Sequence, residues 1–280
     1  MRRTETRRCY RSGLALGEVI QAGEAELFRE FAEEVAALQK ARLSAGAGPA
    51  RALHVKQHLG AVGELVVTAP ESTRFAFRVG GATFLGATPE QLVQKCGLEL
   101  RTEAVAGSVS ADDASSAKRL LESDKDIREH EFVVSEILRL LGPLTSELSP
   151  APRREVHRLR TVLHLRTPIR GKLREPGHVL DLVRRLHPTP AVGGVPTRSA
   201  IEFITQHEPD QRGWYSGPFG WFDERGDGRF VVALRCGVVA GKHAELYAGA
   251  GVVSDSNAPS EFAETRWKLA ALLGALGVSR

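Results

Sequence analysis

The sequence predicts an α+β protein with antiparallel sheets, and three observations lead to this fold class. The C-terminal third is a meander in which "GPFGWFDE", "RFVVALRCGVV" and "AELYAGAGVV" are β-type runs joined by short turns. The other β-type runs also fall into groups, with helical segments between the groups. Strand and helix do not alternate one by one, as they would in a parallel α/β protein.

The N-terminal quarter reads as helix and loop. The segment "AELFREFAEEVAALQKAR" has apolar residues on one helical face: Phe28, Phe31, Val35 and Leu38. The stretch "LSAGAGPA" that follows is rich in small residues and is typical of a loop. We therefore separate residues 1–70, a divergent or truncated N-terminal segment, from a catalytic domain over residues 71–280.

From Arg74 onward β-type runs dominate. Residues 74–88 read as two strands joined at Gly80-Gly81, and residues 98–108 read as a further strand. The remaining predicted elements are a helical segment over 115–141, a β-type stretch over 156–173, a helix over 179–188 and a helix over 260–276.

The C-terminal helix carries charges that a core-facing helix does not need. Glu261, Glu264 and Lys268 recur at spacings of three and four, so they share one helical face. The preceding β-type run contains Gly249 and Gly251, and glycine lets a backbone approach another group closely. The run leads through a good helix-capping sequence into this acidic first turn.

A second acid pair lies in "DKDIREHEF". Asp126 and Glu129 are three residues apart and share a helical face. Two helices that each offer an acid pair could converge on one divalent cation, and hard oxygen ligands completed by water suit Mg²⁺. The alternative is a solvated, salt-bridged helix face, which is common for such pairs.

Composition excludes several classes of protein. The apolar and charged fractions, 42% and 26%, are those of a soluble globular protein. A net charge of +4 favours an anionic ligand, but no basic and aromatic motif points to nucleic acid. Cys9, Cys96 and Cys236 fit neither a disulfide framework nor a zinc site, so we expect a reducing cytoplasm. We see neither a signal peptide nor a membrane span.

Over residues 74–276 the chain resembles the chorismate-utilising enzymes, and within them the isochorismate synthases. The matching runs, in order, are "FLGATPEQLV", "TEAVAGS", "SDKDIREHEFVV", "LHLRTPIRGKL", "LHPTPAVGGVP", "RGWYSGPFGW", "VVALRCGVV", "YAGAGVV" and "SEFAETRWK". The resemblance implies a four-layer α/β/β/α sandwich around two antiparallel sheets. Family members usually carry a longer N-terminus, which leaves open whether one sheet is incomplete here.

The resemblance also implies an activity, the Mg²⁺-dependent isomerisation of chorismate to isochorismate. Water adds at ring carbon 2 while the hydroxyl at ring carbon 4 leaves with a proton from Glu90. Glu129 and Glu264 would bind Mg²⁺, with Glu261 and Asp126 close enough to hold metal-bound water. Without the resemblance, Glu90 could be a surface residue that caps a helix after Pro89.

Further positions match the family's substrate site. Gly107, with Ser108 beside it, and Gly249 match backbone that lies against the substrate, and Lys268 would offset the negative charge of the acids. The remaining matches are Arg235 and Tyr215 for the enolpyruvyl carboxylate and Ala191 for the use of water rather than ammonia. His164 matches an active-site histidine, and we count it with Glu90 as a catalytic residue. Read alone, an arginine in a β-type run is more often a rim residue, and a histidine between leucines is more often a core residue.

One family feature has no clear counterpart. The family carries a lysine in a "KVVLAR"-like strand that activates the attacking water. The nearest run here, "AALQKAR", places Ala37 in that position, and Lys40 and Lys56 are the candidate substitutes. Three functions therefore stay open: an active isochorismate synthase, a salicylate synthase, and a degenerate protein that binds chorismate without turnover.

The pathway is open between menaquinone and a siderophore. We expect a monomer whose partner is chorismate alone, without nucleic acid, membrane or a glutamine amidotransferase subunit.

Overall fold

The computed structural model describes residues 10–16, 69, 71–111, 113–208, 211–240, 243–253 and 256–276. The helix predicted over residues 25–42, with Ala37 and Lys40, lies outside the described residues, as does Lys56. Within the described ranges, no helix has the length and apolar composition that a membrane crossing requires.

One sheet has five strands in the order β1-β12-β11-β3-β2. Its strands are β1 (Tyr10–Leu16), β2 (Thr73–Val79), β3 (Ala82–Thr88), β11 (Cys236–Ala240) and β12 (His243–Val252). β1 pairs with β12 in parallel, and the other pairs are antiparallel. The parallel pair was not anticipated, because residues 10–16 carried no strand prediction.

The second sheet has seven strands in the order β6-β8-β5-β4-β10-β9, with β7 also paired to β8. All of its described pairs are antiparallel. Its strands are β4 (Gln91–Cys96), β5 (Glu99–Ser110), β6 (Thr145–Pro150), β7 (Glu155–Arg158), β8 (Val162–Leu173), β9 (Pro218–Phe222) and β10 (Gly228–Val232).

Helices cover the sheets. They are α1 (Ser116–Glu122), α2 (Asp124–Leu141), α3 (Val179–Leu186), α4 (Pro190–Gly193), α5 (Thr197–His207) and α6 (Ala258–Ala275), with a 3-10 turn at Gly142–Leu144. The start of α6 follows the predicted capping sequence, because the Asn257 side chain accepts a hydrogen bond from the Ser260 backbone N–H.

Three apolar clusters give the layered α/β/β/α order. Helices α2 and α3 pack on the seven-stranded sheet, and α6 packs on the five-stranded sheet through Leu269 and Leu272. A third cluster lies between the sheets, where the rings of Phe75 and Phe219 stack with centroids 4.7 Å apart. The predicted fold class is confirmed.

Two passages of the chain between the sheets lie side by side. The first, Pro89-Glu90, joins β3 to β4, and the second, residues 233–235, joins β10 to β11. The Ala87 N–H donates to the Arg235 carbonyl at 3.1 Å, and the Val232 N–H donates to the Glu90 carbonyl at 3.1 Å. These bonds tie the passages together and fix the backbone of both Glu90 and Arg235.

Three predicted elements are each divided in the structure. The β-type stretch predicted over 156–173 becomes β7 and β8. The helical segment 115–141 breaks at Ser123, which caps α2 by accepting a hydrogen bond from the Asp126 N–H at 3.3 Å. The run "RFVVALRCGVV" is divided between β10 and β11, which belong to different sheets. Arg235 at this break has a φ of +48°, which no strand residue adopts.

Candidate active site

A cleft lies between the sheets beside the two chain passages. It is partly open to solvent, and its lining combines charged side chains with glycine backbone and apolar side chains. Most of the predicted site residues line it: Glu90, Gly107, Ser108, Glu129, His164, Ala191, Tyr215, Arg235, Gly249, Glu264 and Lys268. Asp126 and Glu261, the other two, do not line the cleft and lie against its walls.

Glu90 is buried in the connection between β3 and β4, so it does not cap a helix. Its backbone N–H donates to Thr88 Oγ1 at 3.2 Å, and its Oε1 accepts a hydrogen bond from Thr189 Oγ1 at 3.3 Å. Burial raises the pKa of Glu90 to about 7, and the charge of Glu103 acts in the same direction. Near neutral pH this carboxyl can therefore hold a proton and release it.

His164 has both ring nitrogens engaged. Its Nδ1 lies 3.0 Å from the Gly107 carbonyl oxygen and 3.0 Å from Ser108 Oγ. Its Nε2 contacts the Arg235 Nη2. A guanidinium can only donate and a carbonyl can only accept, so Nδ1 carries the proton and Nε2 accepts from Arg235. Burial, together with the Arg235 charge, holds the pKa of His164 well below its usual value, so the ring is neutral.

Arg235 projects its guanidinium into the cleft from a strained backbone. Its side chain is buried, and burial lowers its pKa to about 10, so it remains charged at neutral pH. Tyr215 lines the same cleft and stacks on Tyr247 with ring centroids 5.5 Å apart. A buried cation beside a phenol can hold a carboxylate.

Gly107 is needed for two independent reasons. Its φ is +71°, in the left-handed region that favours glycine. A Cβ at this position would lie 2.9 Å from Asp126 Cβ, so only glycine lets α2 approach β5 this closely. Asp126 Oδ1 accepts a hydrogen bond from the Ser108 N–H at 3.3 Å. The sequence associated Asp126 with water on a metal; the structure shows it fixing the backbone of Gly107-Ser108.

The two acidic helices, α2 and α6, place Glu129 and Glu264 at the cleft. Burial raises the pKa of Glu129 to about 7, and the charge of Glu264 adds to the rise. Glu264 Oε1 pairs with Lys268 Nζ at 2.5 Å, and Lys268 also donates to the Gly249 carbonyl at 2.9 Å. Lys268 therefore offsets the negative charge of Glu264.

Glu261 is buried next to this site and pairs with Lys125 Nζ at 2.7 Å. Lys125 lies in the first turn of α2 and Glu261 in the first turn of α6, so the pair joins the starts of the two acidic helices. The charge of Glu261 is thus compensated by a lysine that the sequence analysis did not single out.

The two acidic helices place two carboxylates, those of Glu129 and Glu264, at the cleft. Within the described ranges, no group of three or more His, Cys, Asp or Glu side chains could hold a metal ion. Gly251 lies against Glu129, and a Cβ there would come within 3.0 Å of Glu129 Oε1. The lack of a side chain at Gly251 therefore makes space for the carboxylate. Two carboxylates with water and a ligand oxygen fit Mg²⁺, which often takes only one or two protein carboxylates.

Sequence reasoning missed Arg212, which lines the cleft, and Thr189, which holds Glu90 without lining the cleft. Arg212 Nη2 pairs with Glu208 Oε1 at 2.6 Å, and Arg212 Nη1 donates to the Val192 carbonyl at 2.6 Å. Its guanidinium carbon lies 5.9 Å from the centre of the Tyr215 ring. Thr189, just before α4, holds Glu90. The sequence signals were the place of Arg212 at the start of the "RGWYSGPFGW" run, an acid four residues before it, and the hydroxyl of Thr189 within the "LHPTPAVGGVP" run.

The fold and this cleft are those of a protein that can hold a small anionic molecule, because the buried cation of Arg235 and the half-buried cation of Lys268 both line the cleft. The chain belongs to the family described as "Chorismate binding enzyme", whose model matches residues 50–277. The family resemblance stated from the sequence is confirmed.

Two curated relatives carry isochorismate synthase names. "Isochorismate synthase MenF" of Bacillus subtilis is 40% identical over 211 residues, which cover 74% of this chain and 45% of the relative. "Salicylate biosynthesis isochorismate synthase" of Pseudomonas aeruginosa is 44% identical over 207 residues, which cover 72% of this chain and 44% of the relative. This chain thus matches less than half the length of either protein.

Solved structures show the same fold. The crystal structure of a putative 2,3-dihydroxybenzoate-specific isochorismate synthase, DhbC from Bacillus anthracis, superposes with a TM-score of 0.78 at 31% identity. The match covers 91% of this chain and 72% of that one. MenF, the menaquinone-specific isochorismate synthase from Escherichia coli, gives a TM-score of 0.71 at 34% identity, over 78% of this chain and 51% of that one.

Proposed function

We propose that this chain is an isochorismate synthase that converts chorismate to isochorismate. The observation that carries the proposal is Glu90, a buried carboxyl whose pKa of about 7 lets it donate a proton inside the cleft. The names of its relatives support the same activity.

The reaction needs one proton delivered and one removed. Glu90 gives its proton to the oxygen on ring carbon 4 as that carbon–oxygen bond breaks and water leaves. A second water attacks ring carbon 2 and loses a proton to a base, so the net change is an isomerisation. Arg235 and Tyr215 hold the enolpyruvyl carboxylate, and the Gly107 and Gly249 backbones lie against the ring.

His164 acts in this scheme as an orienting group. Because its Nε2 accepts from Arg235 and its Nδ1–H faces the Gly107 carbonyl, neither nitrogen is free to move a proton for the substrate. We therefore assign it to holding the guanidinium in place. This assignment differs from the catalytic role that the resemblance implied.

We further propose Mg²⁺ as the cofactor, held by Glu129 and Glu264. When bound, the cation supplies a positive charge that holds the ring carboxylate of chorismate. Asp126 and Glu261 support this site indirectly. Asp126 fixes the Gly107-Ser108 backbone, and Glu261 pairs with Lys125. Ala191, in the cleft wall, leaves the space for water as the nucleophile.

The reaction also needs a base that takes the proton from the attacking water. Lys40 and Lys56 are the candidates, and both lie outside the described residues. If neither reaches the cleft, the chain binds chorismate with little or no turnover. We also propose a cytoplasmic monomer that needs no amidotransferase subunit. Its described cysteines, exposed Cys96 and buried Cys236, are both free, which agrees with a reducing compartment.

The test is an assay of the chain with chorismate and Mg²⁺, with separation of isochorismate and salicylate by chromatography. We expect isochorismate as the main product. Replacing the base, by Lys40→Ala or Lys56→Ala, should reduce turnover roughly 10²- to 10⁴-fold, and the other lysine serves as the control. Salicylate as the main product, or bound chorismate that is never consumed, would contradict the proposal.

A further inference from the structure

The strands β4 and β5 separate just before the cleft. Their backbone pairing runs from Cys96 and Glu99 to Gln94 and Arg101 and goes no further. Beyond that point side chains of β5 replace the backbone bonds. This separation opens the space in which Glu90 sits.

Two side-chain bonds bridge the separated strands. Thr102 Oγ1 donates to the Leu92 carbonyl at 2.7 Å, and Glu103 Oε1 accepts from the Gln91 N–H at 3.0 Å. Gln91 directly follows Glu90, so the Glu103 carboxylate holds the peptide that carries the proposed acid. With the bonds of Glu90 to Thr88 and Val232, this peptide is fixed on both sides.

Glu103 is itself held by a cation. Its other oxygen, Oε2, accepts from Arg166 Nε at 2.7 Å, and its side chain is buried. Arg166 is about one-third exposed and lies 3.8 Å from the exposed Glu155 on its far side. The pair therefore runs from the protein surface at Arg166 to the backbone N–H of Gln91, next to Glu90.

We propose that Glu103 is a positioning residue for Glu90, which acts through the Gln91 peptide and is fixed by Arg166 as its counter-ion. The inference rests on the proposed function only in giving Glu90 the role of proton donor. The geometry of the Glu103–Arg166 pair does not depend on the proposed function.

The charges around Glu90 give this arrangement a second effect. Glu103 faces Glu90 from β5 and helps to keep it protonated, whereas Lys268 from α6 and Arg235 from the second chain passage favour ionisation. Tyr215 also faces Glu90, and burial keeps the phenol neutral by raising its pKa.

His157, on β7 near Glu103 and Arg166, stays neutral around pH 7, because burial and the Arg166 charge lower its pKa. Of the groups that face Glu90 or its positioning pair, Glu103 is therefore the negative charge whose removal should make Glu90 more acidic.

The test titrates Glu90 directly, by NMR of ¹³C-labelled glutamate carboxyls in the intact chain, with the signal assigned by its loss in Glu90→Gln. Glu103→Gln keeps an oxygen that can accept from the Gln91 N–H but removes the charge. We expect the pKa of Glu90 to fall by roughly one pH unit. Arg166→Gln should raise the pKa of Glu90, and it provides a second variant if Glu103→Gln fails to fold. Glu155→Gln, which removes a charge beside the same arginine, is the control and should leave the pKa of Glu90 unchanged.

Kinetics separate the positioning role from a general loss of structure. At pH 8 a fall from about 7 by one unit leaves roughly a tenth of the protonated acid, so Glu103→Gln should lose about tenfold in turnover there and little at pH 5.5. Glu103→Ala, which also loses the bond to Gln91, should lose turnover at both pH values.

An unchanged Glu90 titration in both Glu103→Gln and Arg166→Gln would overturn the inference. If the parent chain shows no turnover, the proposed function fails, but the NMR titration still decides whether Glu103 acts on Glu90. The two failures can therefore be told apart.

Discussion

Replacing Glu90 by glutamine should stabilise the folded protein, and more so at pH 8 than at pH 5. The folded state raises the pKa of Glu90 from 4.5 to about 7, mainly by burial. The folded protein therefore holds a proton that the unfolded chain releases near pH 4.5. The contribution of this group to stability falls as the pH rises from about 4.5 through about 7, and it is flat above that range. Glutamine is neutral throughout and does not undergo this loss.

The size of the effect follows from the two pKa values. A difference from 4.5 to about 7, at 1.36 kcal/mol for each pH unit, gives about 3 kcal/mol as the cost of ionising Glu90 in the folded state. The stability difference between Glu90→Gln and the parent should thus be about 3 kcal/mol larger at pH 8 than at pH 4.5, and most of that change should appear between pH 5 and 8.

Urea unfolding followed by circular dichroism at pH 5, 6, 7 and 8 measures this difference. Glu224→Gln, in the exposed turn between β9 and β10, is the control for removing a glutamate charge without changing burial. An equal stability difference between Glu90→Gln and the parent at all four pH values would refute the reasoning, because Glu90 would then be ionised in the folded state as in the unfolded chain.

Three further predictions concern the walls of the cleft. Glu129→Gln should abolish the Mg²⁺-linked part of chorismate affinity in calorimetry while the fold is retained, and an unchanged linked affinity would show that Glu129 is no ligand. Gly107→Ala should cost about 1–2 kcal/mol from the left-handed backbone alone, plus the displacement of α2, whereas Gly177→Ala, with open space around it, should cost little in the same thermal melts. Lys125→Met should destabilise by about 1–3 kcal/mol, less than for a fully buried pair because Lys125 is partly exposed. Exchange of charges by Lys125→Glu with Glu261→Lys should recover part of that loss, and a double variant no better than the single ones would contradict the pairing.

Hydrophobic pattern and turn residues were sufficient for most elements from Arg74 onward. The hairpin at Gly80-Gly81 and the meander strands were predicted because their turns are short and their runs are β-branched and aromatic. Helix α6 was predicted because Asn257 and Pro259 mark its start. A spacing of three places each acid pair of α2 and α6 on one helical face, which led to the hypothesis of a shared cation site, and that site stays a prediction.

Other features depend on tertiary structure and leave little trace in the sequence. Nothing in "RFVVALRCGVV" indicates that the chain changes sheets before Arg235, because both halves are equally apolar and β-prone. The sequence also did not show that the helical segment breaks at Ser123, where α1 ends and the serine side chain caps α2. Glu103 and Arg212 act through contacts with residues that are distant in the sequence, so their roles could be recognised only from the contacts themselves. The roles of the site residues stay predictions until the variants are measured.

The most direct test of the central claim compares the parent chain with Glu90→Gln at pH 7 in the presence of Mg²⁺. Chorismate binding is measured by calorimetry and isochorismate formation by chromatography. The account predicts that Glu90→Gln binds chorismate within a few-fold of the parent but loses roughly 10²- to 10⁴-fold in turnover, because an amide cannot deliver the proton. A Glu90→Gln variant that forms isochorismate at most of the parent rate would contradict the claim that this buried carboxyl is the acid of the reaction.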